Sequence, residues 1–416
     1  MIIKMSDINW TGEYVNDKYY IIKNIGEGKF STIWLSYDKT QKKVVVIKIH
    51  FEQYREVGED EIKIFKKIAL IKSKSLMVMI DNFVIDDIFV CLVMDLMYSS
   101  SYDLLTLSYR DGFPYEVTKK IIKSVLIGMK ELEKKGYIHT DIKPENILVS
   151  GENPLFKKEL DILKSKAFEE MAKKHKFNKI SNKEMRKYLL KLFKESDEKV
   201  EEDYDEDHKG NKNNEKIFDR SFILSDSEDE EGNEKEEKPV VNNKKLDLMS
   251  LEYKLSDYGN CMDLKKLDTH SLQTKEYRAP EILLFHDYDV KCDIWSIGCT
   301  VYEFLTGNQL FHFSKINATD NRNYLYDIQT KIGVIPKKFI DKLKIKDTHF
   351  CNNNLLKGIE KIHHDKSFHM LLDIKKCPDI PKDKYDVLID FLLGCLKIDP
   401  DERFNLDNCL NHEFLV

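Results

Sequence analysis

The sequence predicts an α+β chain in which a small antiparallel-sheet lobe with one helix precedes a larger helical lobe. Three observations lead there. Runs rich in β-branched and aromatic residues crowd the N-terminal part, helical periodicity dominates from Glu116 onward, and a long charged stretch interrupts the helical half.

Residues 1–18 read as an N-terminal extension. YYIIKNIGEGKFSTIWLSYD and KKVVVIKIHFE then give strands separated by turn signals. EDEIKIFKKIALI has helical spacing, with Ile62, Phe65, Ile68 and Ala69 on one face. IFVCLVMDL is a buried strand, and EVTKKIIKSVLIGMKELEKKG is a helix that ends at Gly136, a C-cap residue type. Regular patterning lapses at residues 150–247 and resumes at LEYKLSDYGN. The apolar helix CDIWSIGCTVYEFLTG follows, with Asp293 at its start. The expected organisation is an extension (1–18), a first segment holding the sheet lobe and the start of the helical lobe (19–149), a charged insert (150–247) and the remainder of the larger lobe (248–416).

The insert divides in two. LFKKELDILKSKAFEEMAKKH and KEMRKYLLKLFKE have the spacing of two amphipathic helices. VEEDYDEDHKGNKNNEK through SDSEDEEGNEKEEK is too polar and charged to bury a core, so disorder is expected. Residues 155–194 hold 13 basic and 5 acidic residues, and residues 195–238 hold 19 acidic and 7 basic. The formal net charge of −6 therefore hides local charges of +8 and −12, which leave the rest of the chain at −2. A fold this balanced gives no electrostatic footprint for nucleic acid.

Hydrophobic residues make up 42% of the 416, enough for a two-lobed core. No run approaches the ~18 consecutive apolar residues of a membrane span, and MIIKMSDINW lacks the pattern of a secretory signal. The eight cysteines are scattered without a C-x-x-C pair. Cys91, Cys292, Cys299 and Cys395 sit in apolar runs, as buried reduced thiols do. The expectation is an intracellular protein, cytoplasmic, nuclear or both, with no membrane or direct nucleic-acid partner.

Four constellations carry chemistry. Gly26-Glu27-Gly28-Lys29-Phe30-Ser31 lies between two strands, where glycines at i and i+2 let backbone N–H groups approach a phosphate. The same spacing also closes ordinary hairpins. A strand, and no helix, follows the loop, which excludes the dinucleotide-binding turn. Lys48 ends the apolar run VVVIK, so its charge needs a partner; Glu61 on the next helix is a candidate. Asp141-x-Lys143-x-x-Asn146 is the most specific element. A carboxylate there can accept a proton from a substrate hydroxyl, a lysine can neutralise phosphoryl charge, and an amide oxygen can bind Mg²⁺. Asp257, in Asp257-Tyr258-Gly259, is a second carboxylate, of the kind that would bind the Mg²⁺ bridging the phosphates. Arg403 in DPDERF is placed to pair with Glu281 of Ala279-Pro280-Glu281 as a buried structural link.

In that order these residues resemble the eukaryotic-type protein kinases, over residues ~19–416 without the insert. The resemblance implies the bilobal kinase fold, with ATP and Mg²⁺ as cofactors and protein Ser/Thr hydroxyls as acceptors. It assigns the loop Ile25, Gly26, Glu27, Gly28, Lys29, Phe30, Ser31, Thr32 and Ile33 to ATP, together with Lys48 and its anchor Glu61. Met94 becomes the gatekeeper, and backbone groups of Asp95 and Met97 meet the adenine. Asp141 becomes the catalytic base with Lys143 beside it, and Asn146 and Asp257 the metal ligands. Lys143 with Thr274, ahead of KEYRAPE, is similar to the serine/threonine branch.

A narrower resemblance, carried by IIKSVLIGMKELEKKGYIHTDIKPENILV, QTKEYRAPEILL, DIQTKIGVIPKKFI and KIDPDERFNLDNCLNHEFL, is to the SR-protein kinases of the CMGC group. It implies a spacer-split domain and Arg/Ser-rich protein substrates. Tyr258 stands where that family usually has Leu, and a core charge of −2 promises no strongly acidic docking groove. The other readings are an ordinary Ser/Thr kinase of different specificity, a nucleotide-binding scaffold, and a chain whose insert binds regulatory proteins. Ser225 and Ser227, in the acidic run LSDSEDEE, suit an acid-directed kinase, and a merely solvated linker is the plainer reading. A scaffold would lack the lysine, base or metal carboxylate, and all three are present. A monomer is expected. Thr140 stands where many kinases have an Arg that pairs with a phosphorylated activation loop. An activation segment ordered without phosphorylation of Thr269, Ser271 or Thr274 is therefore expected.

Overall fold

The computed structural model describes residues 8–151, 247–266, 272–311, 321–343 and 379–416, with Phe350, Leu356, Ile374 and Cys377 as isolated positions. The chain forms two compact units. The expected helices and disorder of the insert lie outside the described residues, as do Thr269 and Ser271.

The sheet unit takes residues up to Lys66 and Val78–Tyr98. Its strands are β1 (Tyr14–Val15), β2 (Tyr19–Glu27), β3 (Ser31–Asp38), β4 (Lys43–His50), β5 (Met79–Ile85) and β6 (Phe89–Asp95), and its helix is α1 (Arg55–Ile68). All pairs are antiparallel, in the order β1-β2-β3-β4-β6-β5. Strand alternation separates two faces. Trp34, Val45, Ile47 and Ile49 join Val15, Tyr19, Ile21, Cys91 and Val93 in one core. Val46, Lys48 and His50 point to the other face, where α1 places Glu61 against Lys48.

Residues 8–18, read from sequence as an extension, are built into this sheet. The Trp10 ring packs edge-on against Phe89 at 5.2 Å, and Gly12 N–H donates to the Ile21 carbonyl at 2.7 Å. The face expected of α1 also needs a correction. The helix stops at Ile68, so Ala69 falls in an exposed 3₁₀ turn, and Ile64 joins Phe65 and Ile68 as a buried residue.

The helical unit takes residues 67–77, 99–151 and 247 onward. It contains β7 (Ser99–Ser100), α2 (Ser101–Ser108), α3 (Tyr115–Lys134), β8 (Tyr137–Ile138), β9 (Ile147–Val149), β10 (Tyr253–Leu255) and β11 (Met262–Asp263). After these come α4 (Lys291–Thr306), α5 (Asn321–Lys331), α6 (Tyr385–Cys395) and α7 (Leu406–Leu410). Ser100 and Asp103 cap α2 reciprocally, and Gly136 takes a left-handed φ of 85° just past the end of α3. From Cys292 to Leu305 every residue of α4 is buried, the pattern of a central helix packed on all sides. The expected Glu281–Arg403 link is present and bidentate, at 2.6 and 2.8 Å, with both side chains inaccessible. β9 pairs with β10 so that Val149 faces Tyr253; Ser150 and Glu252 extend the ladder through two further hydrogen bonds. The described cysteines are all free thiols.

Candidate active site

In the sheet unit, β2 and β3 form the hairpin that carries the glycine-rich turn. Ile25 sits in a bulge between Asn24 and Gly26, and Gly28 N–H donates to Ser31 O at 2.8 Å. Gly26 pairs with Ile33, and Ile33 with Lys48, so the turn and the lysine follow one register. Thr32 faces away, its hydroxyl accepting from the Trp34 indole at 2.9 Å. Phe30 packs edge-on against Tyr54, with Lys29 over its ring. Lys48 Nζ lies 2.9 Å from both oxygens of Glu61, and the contact to Oε1 is an aligned hydrogen bond. Met94 pairs with Val46 on the face that carries Lys48. Asp95 ends β6 with its side chain on Lys43, and Met97 follows half-buried.

In the helical unit the catalytic loop leaves β8. Asp293 of α4 accepts from the backbone N–H of His139 and of Thr140, each at 2.9 Å, which holds the loop on the central helix. Asp141 N–H donates to His139 Nδ1 at 3.2 Å, so the proton of this imidazole sits on Nε2 and is donated to Ser256 O at 3.0 Å. Burial pushes the His139 pKa down, in keeping with a neutral ring.

Asp141 gathers the remaining polar groups. Asn146 Nδ2 donates to its backbone carbonyl at 2.8 Å and to Oδ2 at 3.0 Å. The Thr274 hydroxyl donates to Oδ1 at 2.7 Å and accepts from Lys143 Nζ at 2.8 Å, while Lys143 lies 3.3 Å from Oδ2. Burial works against the Lys143 charge, yet the Asp141 and Glu145 carboxylates hold its pKa above the ordinary lysine value. Thr140 and Asp257 both take left-handed backbone, at φ 61° and 62°. That region is costly for a β-branched residue and is found where function imposes it.

The segment from Asp257 to Glu281 is anchored at both described ends. β11 pairs with β8, Leu264 N–H donates to Gly136 O at 2.8 Å, and the Thr140 hydroxyl donates to Asn260 O at 2.6 Å. The Tyr258 ring is fully buried, and its hydroxyl donates to Met77 O or Leu255 O, at 3.1 and 2.8 Å. Beyond the undescribed middle, Gln273 binds Cys292 O, the Ser296 hydroxyl and Ala279 N–H, and the Tyr277 hydroxyl donates to Glu303 at 2.6 Å.

The donor set suits a nucleotide and a hard cation. Cβ atoms at Gly26 and Gly28 would meet nothing closer than 3.6 and 3.7 Å, and neither glycine has a positive φ. The packing of the chain itself therefore does not require glycine there, whereas close approach of a phosphate would. Asn146 commits its amide nitrogen to Asp141, which leaves its oxygen as the group to offer a cation.

The role of one residue at these sites, and the partners of another, left no local pattern in the sequence. His50 lies 3.1 Å from Glu61, and only the Lys-x-His spacing on one strand face hinted at it. Tyr258 was noticed as a departure, but its hydroxyl partners come from remote backbone.

The model of the protein kinase domain family matches residues 19–161 and 241–415, and the chain belongs to that family. More narrowly, it is a serine/threonine protein kinase whose domain is split by the insert, and its curated relatives include SR-protein kinases. Its relatives include the serine/threonine-protein kinase SRPK of Physarum polycephalum, 27% identical over 97% of this chain and 87% of the relative. The putative serine/threonine-protein kinase L205 of Acanthamoeba polyphaga mimivirus is 25% identical over 97% of this chain and 88% of its own. SRSF protein kinase 3 of Sus scrofa is 24% identical over 97% and 87%. ATP-dependent phosphoryl transfer to protein follows from the family. Among the described residues no helix is long and apolar enough to cross a membrane.

Proposed function

We propose that the chain transfers the γ-phosphoryl of Mg·ATP to Ser or Thr hydroxyls in Arg/Ser-rich segments, without first requiring phosphorylation of its own activation segment. The observation that carries the transfer chemistry is the closed set of contacts among Asp141, Thr274 and Lys143. Asp141 accepts the acceptor hydroxyl's proton, and Lys143 balances charge on the group in flight. Lys48, held by Glu61, orients the nucleotide phosphates, with the backbone of residues 25–33 over them and Asp95 and Met97 at the adenine. Asn146 and Asp257 would hold Mg²⁺, which neutralises phosphate charge when bound.

Independence from phosphorylation is supported by the Thr140–Asn260 bond and the β8–β11 pair, which tether the segment where an Arg–phosphate pair is absent. The substrate class is supported by the relatives, which include an SRSF protein kinase. Residues 150–247 act as a spacer that binds regulatory proteins, and the protein works as a monomer inside the cell, in cytoplasm, nucleus or both. The deciding experiment compares phosphorylation of an Arg/Ser-repeat peptide with that of a Ser-Pro peptide, before and after phosphatase treatment of the kinase. Preference for the Ser-Pro peptide would overturn the substrate class. Loss of activity on dephosphorylation would overturn the control.

A further inference from the structure

We propose that His50 is a positioning residue for phosphoryl transfer: its imidazole orients the Glu61 carboxylate, and through it the Lys48 ammonium. The proposal rests on the kinase reading of Lys48 and Glu61 given above. Lys48 and His50 are two apart on β4 and share a face, and both meet the same carboxylate from α1. Lys48 makes its aligned hydrogen bond to Oε1. Oε2 is buried without an aligned donor, and His50 Nε2 stands 3.1 Å from it. The separation is already hydrogen-bond length, so rotation of the ring completes the bond and no approach is needed. A neutral imidazole with its proton on Nε2 is a sufficient donor.

Two features show that this contact is kept at a cost. The His50 side chain is 0% exposed, yet neither ring nitrogen has an aligned partner, a state that a leucine at the same place would avoid. Gly58 is the fourth residue of α1, already inside the helix, where glycine is unfavourable. A Cβ there would sit 2.8 Å from His50 Cγ and 2.9 Å from both His50 Nδ1 and Val90 Cγ1, so α1 gives up a side chain to admit the ring and the valine beside it. Apolar filling accounts for a glycine opposite Val90 but not for a buried imidazole there. A donor aimed at the second oxygen of Glu61 accounts for the imidazole, because that oxygen decides whether the carboxylate holds still as Lys48 engages phosphate.

The test uses the full chain. Wild type, His50→Leu and His50→Gln are compared for melting temperature, for binding of a fluorescent ATP analogue and for steady-state ATP turnover. His50→Leu is expected to melt at or above the wild-type temperature while its KM for ATP rises about five- to tenfold, the size of one hydrogen bond. His50→Gln, which keeps an N–H donor, is expected to recover most of that loss. An unchanged KM in His50→Leu would overturn the proposal, as would equal impairment of the two variants. Should His50→Leu not fold, Gly58→Ala displaces the ring from the helix side and is expected to give the same rise in KM. A wild type without ATP turnover would sink the kinase reading itself, whereas normal turnover with an indifferent His50→Leu sinks only this role.

Discussion

Asp141 is held by Asn146, Thr274 and Lys143 together, so replacing its carboxylate tests chemistry and geometry at once. Asp141→Asn is expected to lower kcat by about 10²–10⁴ with little change in melting temperature, as loss of a general base does. Tyr258→Phe removes a buried hydroxyl that has two backbone acceptors, and about 1 kcal/mol of stability is expected to go with it in denaturant titration. Glu303 gives a pH test. Burial, with Glu145 and Glu276 nearby, pushes its pKa from 4.5 up to about 8, against the opposing bond from Tyr277. Between those values the native state keeps a proton that the unfolded chain releases, so this residue's contribution is present below pH 4.5 and is lost as pH rises toward 8. Glu303→Gln is expected to flatten that decline, so that its melting temperature gains on wild type most at pH 8. The motif residues Asp141, Lys143 and Asn146 were legible because six consecutive positions hold them all. The parts played by His50 and Tyr258 were not, since their partners lie on other elements and leave no local pattern.

At the scale of elements, the strands and helices with clean periodicity were readable and the ones with polar interruptions were not. β5, MIDNFVI, places Asp81 and Asn82 in mid-strand. Asp81 is satisfied there by Lys18 at 3.2 Å and by the Tyr19 hydroxyl at 2.7 Å, a tertiary solution that hides the strand from its own sequence. The same dependence on distant partners governs the activation segment. Thr140→Val would leave the Asn260 carbonyl without its hydroxyl donor. Limited proteolysis is expected to cut that variant near residues 260–266 several-fold faster than wild type, while phosphatase treatment leaves the wild-type rate unchanged.

Across the whole molecule, the Arg403–Glu281 pair shows how far apart in sequence the stabilising groups of the helical unit are. Arg403 also donates to the carbonyls of Lys291, Lys397 and Ile398 and stacks over Trp295. Arg403→Ala strands a buried carboxylate, and a loss of about 3–5 kcal/mol in unfolding free energy is expected by denaturant titration. That link was legible from two short motifs because a buried guanidinium needs a carboxylate of matching geometry.

The ladder between β9 and β10 has a different kind of consequence. It brings Ser150 and Glu252, which flank the insert, within hydrogen-bond distance of each other. Closing such a loop costs free energy that grows only with the logarithm of its length, about 0.6 kcal/mol per doubling. Loop closure by itself therefore predicts that cutting out residues 155–240 stabilises the fold by about 2 kcal/mol, to be read by denaturant titration. Through loop closure, then, selection on stability bears only weakly on length at this position, a few residues downstream of the catalytic loop.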